Sequence, residues 1–148
     1  MEKMTLEKAT EMLDGGFHCS QCVLSHLAAH LGLDEKQALR LSAGLGGGCF
    51  HGGTCGAVTG AVITLGLVYG FDAPDDAKDA LLKEKVHAFE ARFEAENGAL
   101  SCYDLLGGYD MSKPEDAAVI SAKGLTNSCP AKCVSACAIL DDMLKDVL

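Results

Sequence analysis

The amino-acid sequence predicts an all-α fold: a single-domain helical bundle in which a glycine-rich loop leads into a buried central helix. Three observations carry that expectation. Apolar residues recur at helical spacing between capping residues and glycines. No stretch alternates apolar and polar residues with β-branched enrichment, so no sheet is expected. The run from Thr54 to Phe71 is uncharged and apolar on every face, as the central helix of a bundle would be. With 148 residues the chain can build one hydrophobic core and is short for two, so residues 1–148 are read as one domain.

In chain order, Thr5 caps a first helix reaching about Leu13, and Asp14-Gly15-Gly16 stops it. A second helix fits from about Cys19 to His30, where Val23, Leu24, Leu27 and Leu31 share a face and Gly32 closes it. Asp34 with Gln37 resembles a capping box that opens a third helix ending near Ala43. The glycine-rich loop Gly44 to Gly53 follows, and Thr54 is the expected cap of the apolar helix Cys55 to Tyr69. Pro74, Asp75 and Asp76 suit the first turn of a polar outer helix reaching Glu96, which Asn97-Gly98 terminates. A short helical turn from Ser101 to Leu106 precedes Gly107-Gly108. Ser112 with Glu115 then looks like the start of a helix ending before Gly124, and a last helix runs from Ser128 to the C-terminus.

Hydrophobic residues make up 49% of the chain and charged residues 22%, which is ordinary globular usage, so the chain should fold. A net charge of -9, with its twelve Lys and Arg scattered, argues against nucleic acid as a partner. The N-terminal segment Met1 to Lys8 is charged and has no apolar stretch before a small-residue cleavage site, so a cytoplasmic location is expected. Thr54 to Phe71 sits at the lower edge of spanning length with no basic flank, and a buried helix is expected there rather than a membrane span.

The cysteines set the functional expectation. There are eight, at positions 19, 22, 49, 55, 102, 129, 133 and 137, and clustered cysteines in a reducing compartment point to metal binding or catalysis. Cys55 lies where the glycine loop becomes the apolar helix, and free backbone N–H groups at a helix start favour a thiolate, making it the best single candidate for a reactive or ligating sulfur. Gly56 and Gly60, on one helical face, would let a helix or a cofactor come close. Cys19 and Cys22 form a C-x-x-C pair used by metal sites and dithiols alike, without the βαβ context of thioredoxin.

Cys129, Cys133 and Cys137 share one face of the last helix. Cys129 lies beside Pro130 at its start, whereas Cys133 and Cys137 read equally as a small-residue seam in the core. Cys49 and His51, with Cys55, are compact enough to bite one metal ion. His18, Cys22, His26 and His30 recur every four residues as a soft-metal stripe or an amphipathic edge. Cys102 alone reads as a packing residue. The glycine loop has neither a Walker lysine nor dinucleotide spacing, so phosphate binding is not expected. Hydrolase motifs are missing as well.

Taken together, Cys55-Gly56-Ala57-Val58-Thr59-Gly60, the Leu45-Gly46-Gly47-Gly48 loop, Cys19 within Cys-Ser-Gln-x-Val-Leu, Cys102 and Cys129 resemble the redox-active family C_GCAxxG_C_C over nearly the whole chain. The resemblance implies that Cys19, Cys55, Cys102 and Cys129 are the family's four cysteines, which raises Cys102 above a packing role. It extends to a domain of a multihaem cytochrome that carries an iron-sulfur centre. Four thiolates holding an iron-sulfur cluster are therefore the first expectation, although no C-x-x-C-H site for haem is present.

The metal-ligating set is drawn from Cys19, Cys22, Cys49, Cys55, Cys102, Cys129 and Cys133. Alternatives are a thiol-disulfide oxidoreductase with Cys55 as nucleophile, or a zinc- or copper-binding module. Expected partners are a redox protein, or a small thiol or other electron donor, with homodimer formation left open.

Overall fold

In the computed structural model, which describes residues 2–148, the chain forms eight α-helices and, among the described residues, no strand. They are α1 (Leu6–Asp14), α2 (Cys19–Ala28), α3 (Glu35–Ser42), α4 (Gly56–Tyr69), α5 (Asp76–Asn97), α6 (Cys102–Leu105), α7 (Pro114–Lys123) and α8 (Cys129–Met143). Thr5 caps α1 by accepting from the Lys8 N–H, Asp34 caps α3 through Gln37, and Asp75 caps α5 through Lys78. Left-handed glycines at positions 32, 98 and 124 end the expected helices.

Four boundaries differ from the sequence expectation. The second helix tightens into a 3-10 turn at Ala29–Leu31. Cys55, not Thr54, occupies the N-cap of α4, because Thr54 is drawn into a backbone bridge with Ser101. Lys113 caps α7, and Ser112 instead donates its hydroxyl to the Asp110 carboxylate at 2.6 Å. The last helix ends at Met143, where the buried Leu144 packs down into the core.

The main core joins α1, α2, α4, α5 and α8 around Val23, Leu27, Val58, Leu65, Phe89 and Leu140. α4 is central as expected, and α5 contributes only Phe89 and Phe93 as fully buried side chains. No described helix is long and apolar enough to cross a membrane.

α2 packs most extensively against α4, and the cause lies in the sequence. A Cβ placed on Gly60 would stand 2.7 Å from the Ser20 carbonyl oxygen, and one on Gly56 would stand 2.9 Å from the Ser20 amide nitrogen. These glycines serve the approach of α2. Ser20, fully buried, donates to the Ser42 carbonyl at 2.6 Å, and Gln21 donates to Leu39 at 2.9 Å, latching α3 onto the same pair. A smaller cluster of Cys102, Leu106 and Ile120, backed by Met111 and Leu125, closes the other end of the molecule.

Candidate functional site

Between the main core and that smaller cluster lies a cavity of about 500 Å3, and Cys19, Cys55, Cys102 and Cys129 all line it. Each of the four stands at the beginning of a helix: Cys19, Cys102 and Cys129 are the first residues of α2, α6 and α8, and Cys55 is the N-cap of α4. Residues separated by more than a hundred positions thus face one space. At three of these positions a helix of eight or more residues turns its unpaired N–H groups and positive dipole end toward the cavity. α6 is a single turn and adds little field.

The local chain path explains how Cys55 and Cys102 come together. The segment through Gly53, Thr54 and Cys55 pairs with Leu100, Ser101 and Cys102. Cys55 donates its N–H to Leu100 at 2.7 Å, and Cys102 donates to the Gly53 carbonyl at 2.7 Å. That pairing depends on the tight loop before it. Gly47, Gly48, Cys49 and Phe50 are consecutively left-handed, and a side chain on Gly48 would collide with the Gly53 backbone. Cys49 and Phe50 adopt this conformation at a cost of about 1–2 kcal/mol each. The Phe50 ring meets the His18 ring edge-on at 5.2 Å, which ties the loop to the residue preceding Cys19.

The Cys133 Sγ lies 4.0 Å from the Cys19 carbonyl oxygen, and Cys129 lines the cavity with Cys19. Thiol donation from Cys129, then from Cys133, holds Cys19 well below the usual thiol range despite its burial, and the nearby Lys132 ammonium acts in the same direction. The partners respond oppositely, with Cys129 and Cys133 held strongly toward the thiol form by those same bonds and by burial. Burial also raises Cys102.

Cys55 corrects an expectation. The N–H groups of Ala57 and Val58 do favour its thiolate, as a helix start should, but burial outweighs them and the thiol is pushed up to about 12. Among the four cavity thiols, only Cys19 is held toward the thiolate form.

The other candidates separate from this group. Cys22, Cys133 and Cys137 are fully buried in the main core. Cys49 is exposed and does not line the cavity, so the loop does not bring it to Cys55. The four-residue stripe on α2 has divergent surroundings: His18 lines the cavity, Cys22 is in the core, His26 pairs with Asp141 at 2.8 Å, and His30 is exposed. Among the described residues, no three His, Cys, Asp or Glu side chains gather closely enough to hold a single metal ion.

Lys132 was not legible as part of the site. It lies on α8 between Cys129 and Cys133, is only 7% exposed, and lines the cavity while donating to the Ser128 hydroxyl at 2.6 Å. A lysine in a helix reads by default as solvated, and nothing in the sequence marks this one otherwise.

Residues 17–143 match the model of the family described as "Putative redox-active protein (C_GCAxxG_C_C)". The chain belongs to this family. The matched span covers all eight cysteines, and the Cys-Gly-Ala-x-x-Gly hallmark of the C_GCAxxG_C_C proteins is here the first turn of α4, pressed against α2. No curated protein and no solved structure matches the chain.

Proposed function

We propose that this C_GCAxxG_C_C protein is an electron-transfer protein that holds an iron-sulfur cluster through Cys19, Cys55, Cys102 and Cys129. The observation that carries the reading is the convergence of these four thiols, from four separate helix starts, on one cavity. Thiolates are the usual ligands of such clusters, and four cysteines line this one volume. When bound, such a cluster supplies one-electron transfer.

The chain's own residues do the rest. The helix N-termini and Lys132 offset the negative charge that four thiolates would gather in a partly buried space. Leu13, Leu106 and Met111 limit water on the apolar walls. The spread of thiol acidities fits a site loaded with proton release, because Cys55, Cys102 and Cys129 must lose their protons on ligation. A redox protein or a small electron donor is the partner this chemistry calls for.

Anaerobic purification followed by visible absorption and iron and sulfide analysis tests the reading. Broad visible bands with stoichiometric iron and sulfide are expected. A colourless protein that stays iron-free after reconstitution removes it.

A further inference from the structure

Among the described residues, Lys132 is the only Lys, Arg, Asp or Glu that the fold buries. No ion pair among those residues includes it, and its ammonium donates to the neutral Ser128 hydroxyl. A buried lysine is ordinarily paired, because an isolated charge out of water is costly. An ammonium carries three N–H donors, so the bond to Ser128 leaves donors for a ligand. The cavity that Lys132 lines measures about 500 Å3, inside the roughly 300–1,000 Å3 span of small-molecule pockets. Its walls are apolar at Leu13, Leu106 and Met111, and the one carboxylate that lines it, Asp14, is solvent-exposed.

We propose that the cavity is also a binding site for a small organic monocarboxylate, whose carboxylate pairs with the Lys132 ammonium while its hydrocarbon body lies on the apolar walls. One buried cation matches one negative charge. A second carboxylate on the ligand would find no further buried cation and would meet the like charge of Asp14. The ligand leaves the four thiols in place. At about 30 Å3 per water the cavity equals roughly sixteen waters, whereas even a [4Fe–4S] cluster adds only about eight inorganic atoms. The N-termini of α2, α4 and α8 share the negative load with Lys132, so an anion and a cluster can be held side by side. Binding stands on Lys132 and the cavity walls and holds whether or not the cysteines take a cluster.

Equilibrium dialysis with radiolabelled benzoate tests this on the full chain, both as purified without oxygen and after iron removal by a chelator. Saturable binding is expected in both preparations. Neutral benzamide and the dianion phthalate should each bind about tenfold more weakly, the worth of one charge-assisted hydrogen bond. Lys132→Met should weaken benzoate by about the same tenfold and leave benzamide unchanged, whereas Lys132→Arg should stay close to the wild type. In the chelated protein, benzoate should also slow iodoacetamide labelling of Cys19, which shares the cavity. Should Lys132→Met fail to fold, the wild-type ratio of benzoate to benzamide still reads the charge. The proposal is overturned by absent saturable binding, by equal affinity for benzoate and benzamide, by unchanged benzoate affinity in Lys132→Met, or by binding confined to the chelated protein. A chain that holds no iron in either preparation removes the cluster reading and leaves the benzoate result to be judged by itself.

Discussion

The cavity cysteines and the core cysteines are the same side chain, in part on the same two helices, and they face different environments one helical turn apart. On α2, Cys19 opens the helix and lines the cavity, while Cys22 is wholly enclosed; on α8, Cys129 opens the helix, while Cys133 and Cys137 are enclosed. Position along the helix decides between the two. A residue at a helix start lies near unpaired N–H groups at the end of the bundle, whereas one turn later those groups are bonded within the helix and the side chain meets a neighbouring helix. The surroundings of these sulfurs are thus set by helix boundaries.

The largest effect should come from breaking that contrast directly. Replacing Cys55 with Ser removes one of the four converging thiols, and iron retained after anaerobic purification should fall to background. Cys137→Ala, a deletion of similar size in the core, should leave iron at the wild-type level and cost about 1 kcal/mol in denaturant melts through a small residual cavity. Equal iron loss in both variants would erase the distinction between the groups.

Alkaline pH separates two of the cavity thiols thermodynamically in the protein without a cluster. The Cys55 thiol, at about 12 when folded, lies above its unfolded value of about 8.5, so between these values the folded state holds the extra proton. Stability from this group is fully present below about pH 8.5 and is lost as pH rises toward 12, at roughly 1.4 kcal/mol per pH unit. Cys19 has the opposite sign: its depressed folded value contributes above the unfolded value and is lost as pH falls. Chemical denaturation from pH 8 to 11 should show a net decline, and C55S should be flatter by one proton's worth of slope. A wild-type curve no steeper than C55S would contradict the burial of this thiol.

Much of the fold could be read in advance because the helices of this chain are punctuated by Asp and Ser caps and by left-handed glycines, which act locally. The convergence of Cys19, Cys55, Cys102 and Cys129 was reachable only through the family resemblance, since spacing within one helix says nothing about which helix starts meet. Cys55 shows where local reasoning fails. Its helix-start effect has the anticipated sign, but its magnitude is overcome by burial, which is a property of the assembled bundle. Lys132 was missed for a related reason: a lysine on α8 becomes a cavity residue only when the starts of α2, α4 and α6 assemble beside it.

A subtler test addresses what aligns the cavity thiols. Gly60 sets the α2–α4 distance, and so the placement of Cys19 relative to Cys55. Gly60→Ala places a methyl group 2.7 Å from the Ser20 carbonyl oxygen. The overpacking should cost about 1–3 kcal/mol, outweighing the roughly 1 kcal/mol that alanine gains over glycine in a helix. Urea melts should show a lower midpoint with unchanged slope, and iron occupancy should fall part-way. A stabilised variant would mean that α2 can retreat freely and that the site tolerates the shift.

The smallest effect isolates the charge on the cavity wall. Lys132 lines the cavity with its ammonium held by Ser128, so it would stabilise whichever state of the proposed cluster is more negative. On that reading the reduced centre would carry one more negative charge. Lys132→Met should therefore lower the midpoint potential, by on the order of 50 mV, close to a tenfold change in a one-electron equilibrium. Lys132→Arg keeps the charge and should stay near the wild type. Anaerobic potentiometric titration of the three proteins reads this directly, and because methionine preserves most of the buried volume, unchanged melting would accompany the shift. An equal midpoint in all three would place the ammonium's field outside the centre and leave the helix N-termini as the source of positive potential.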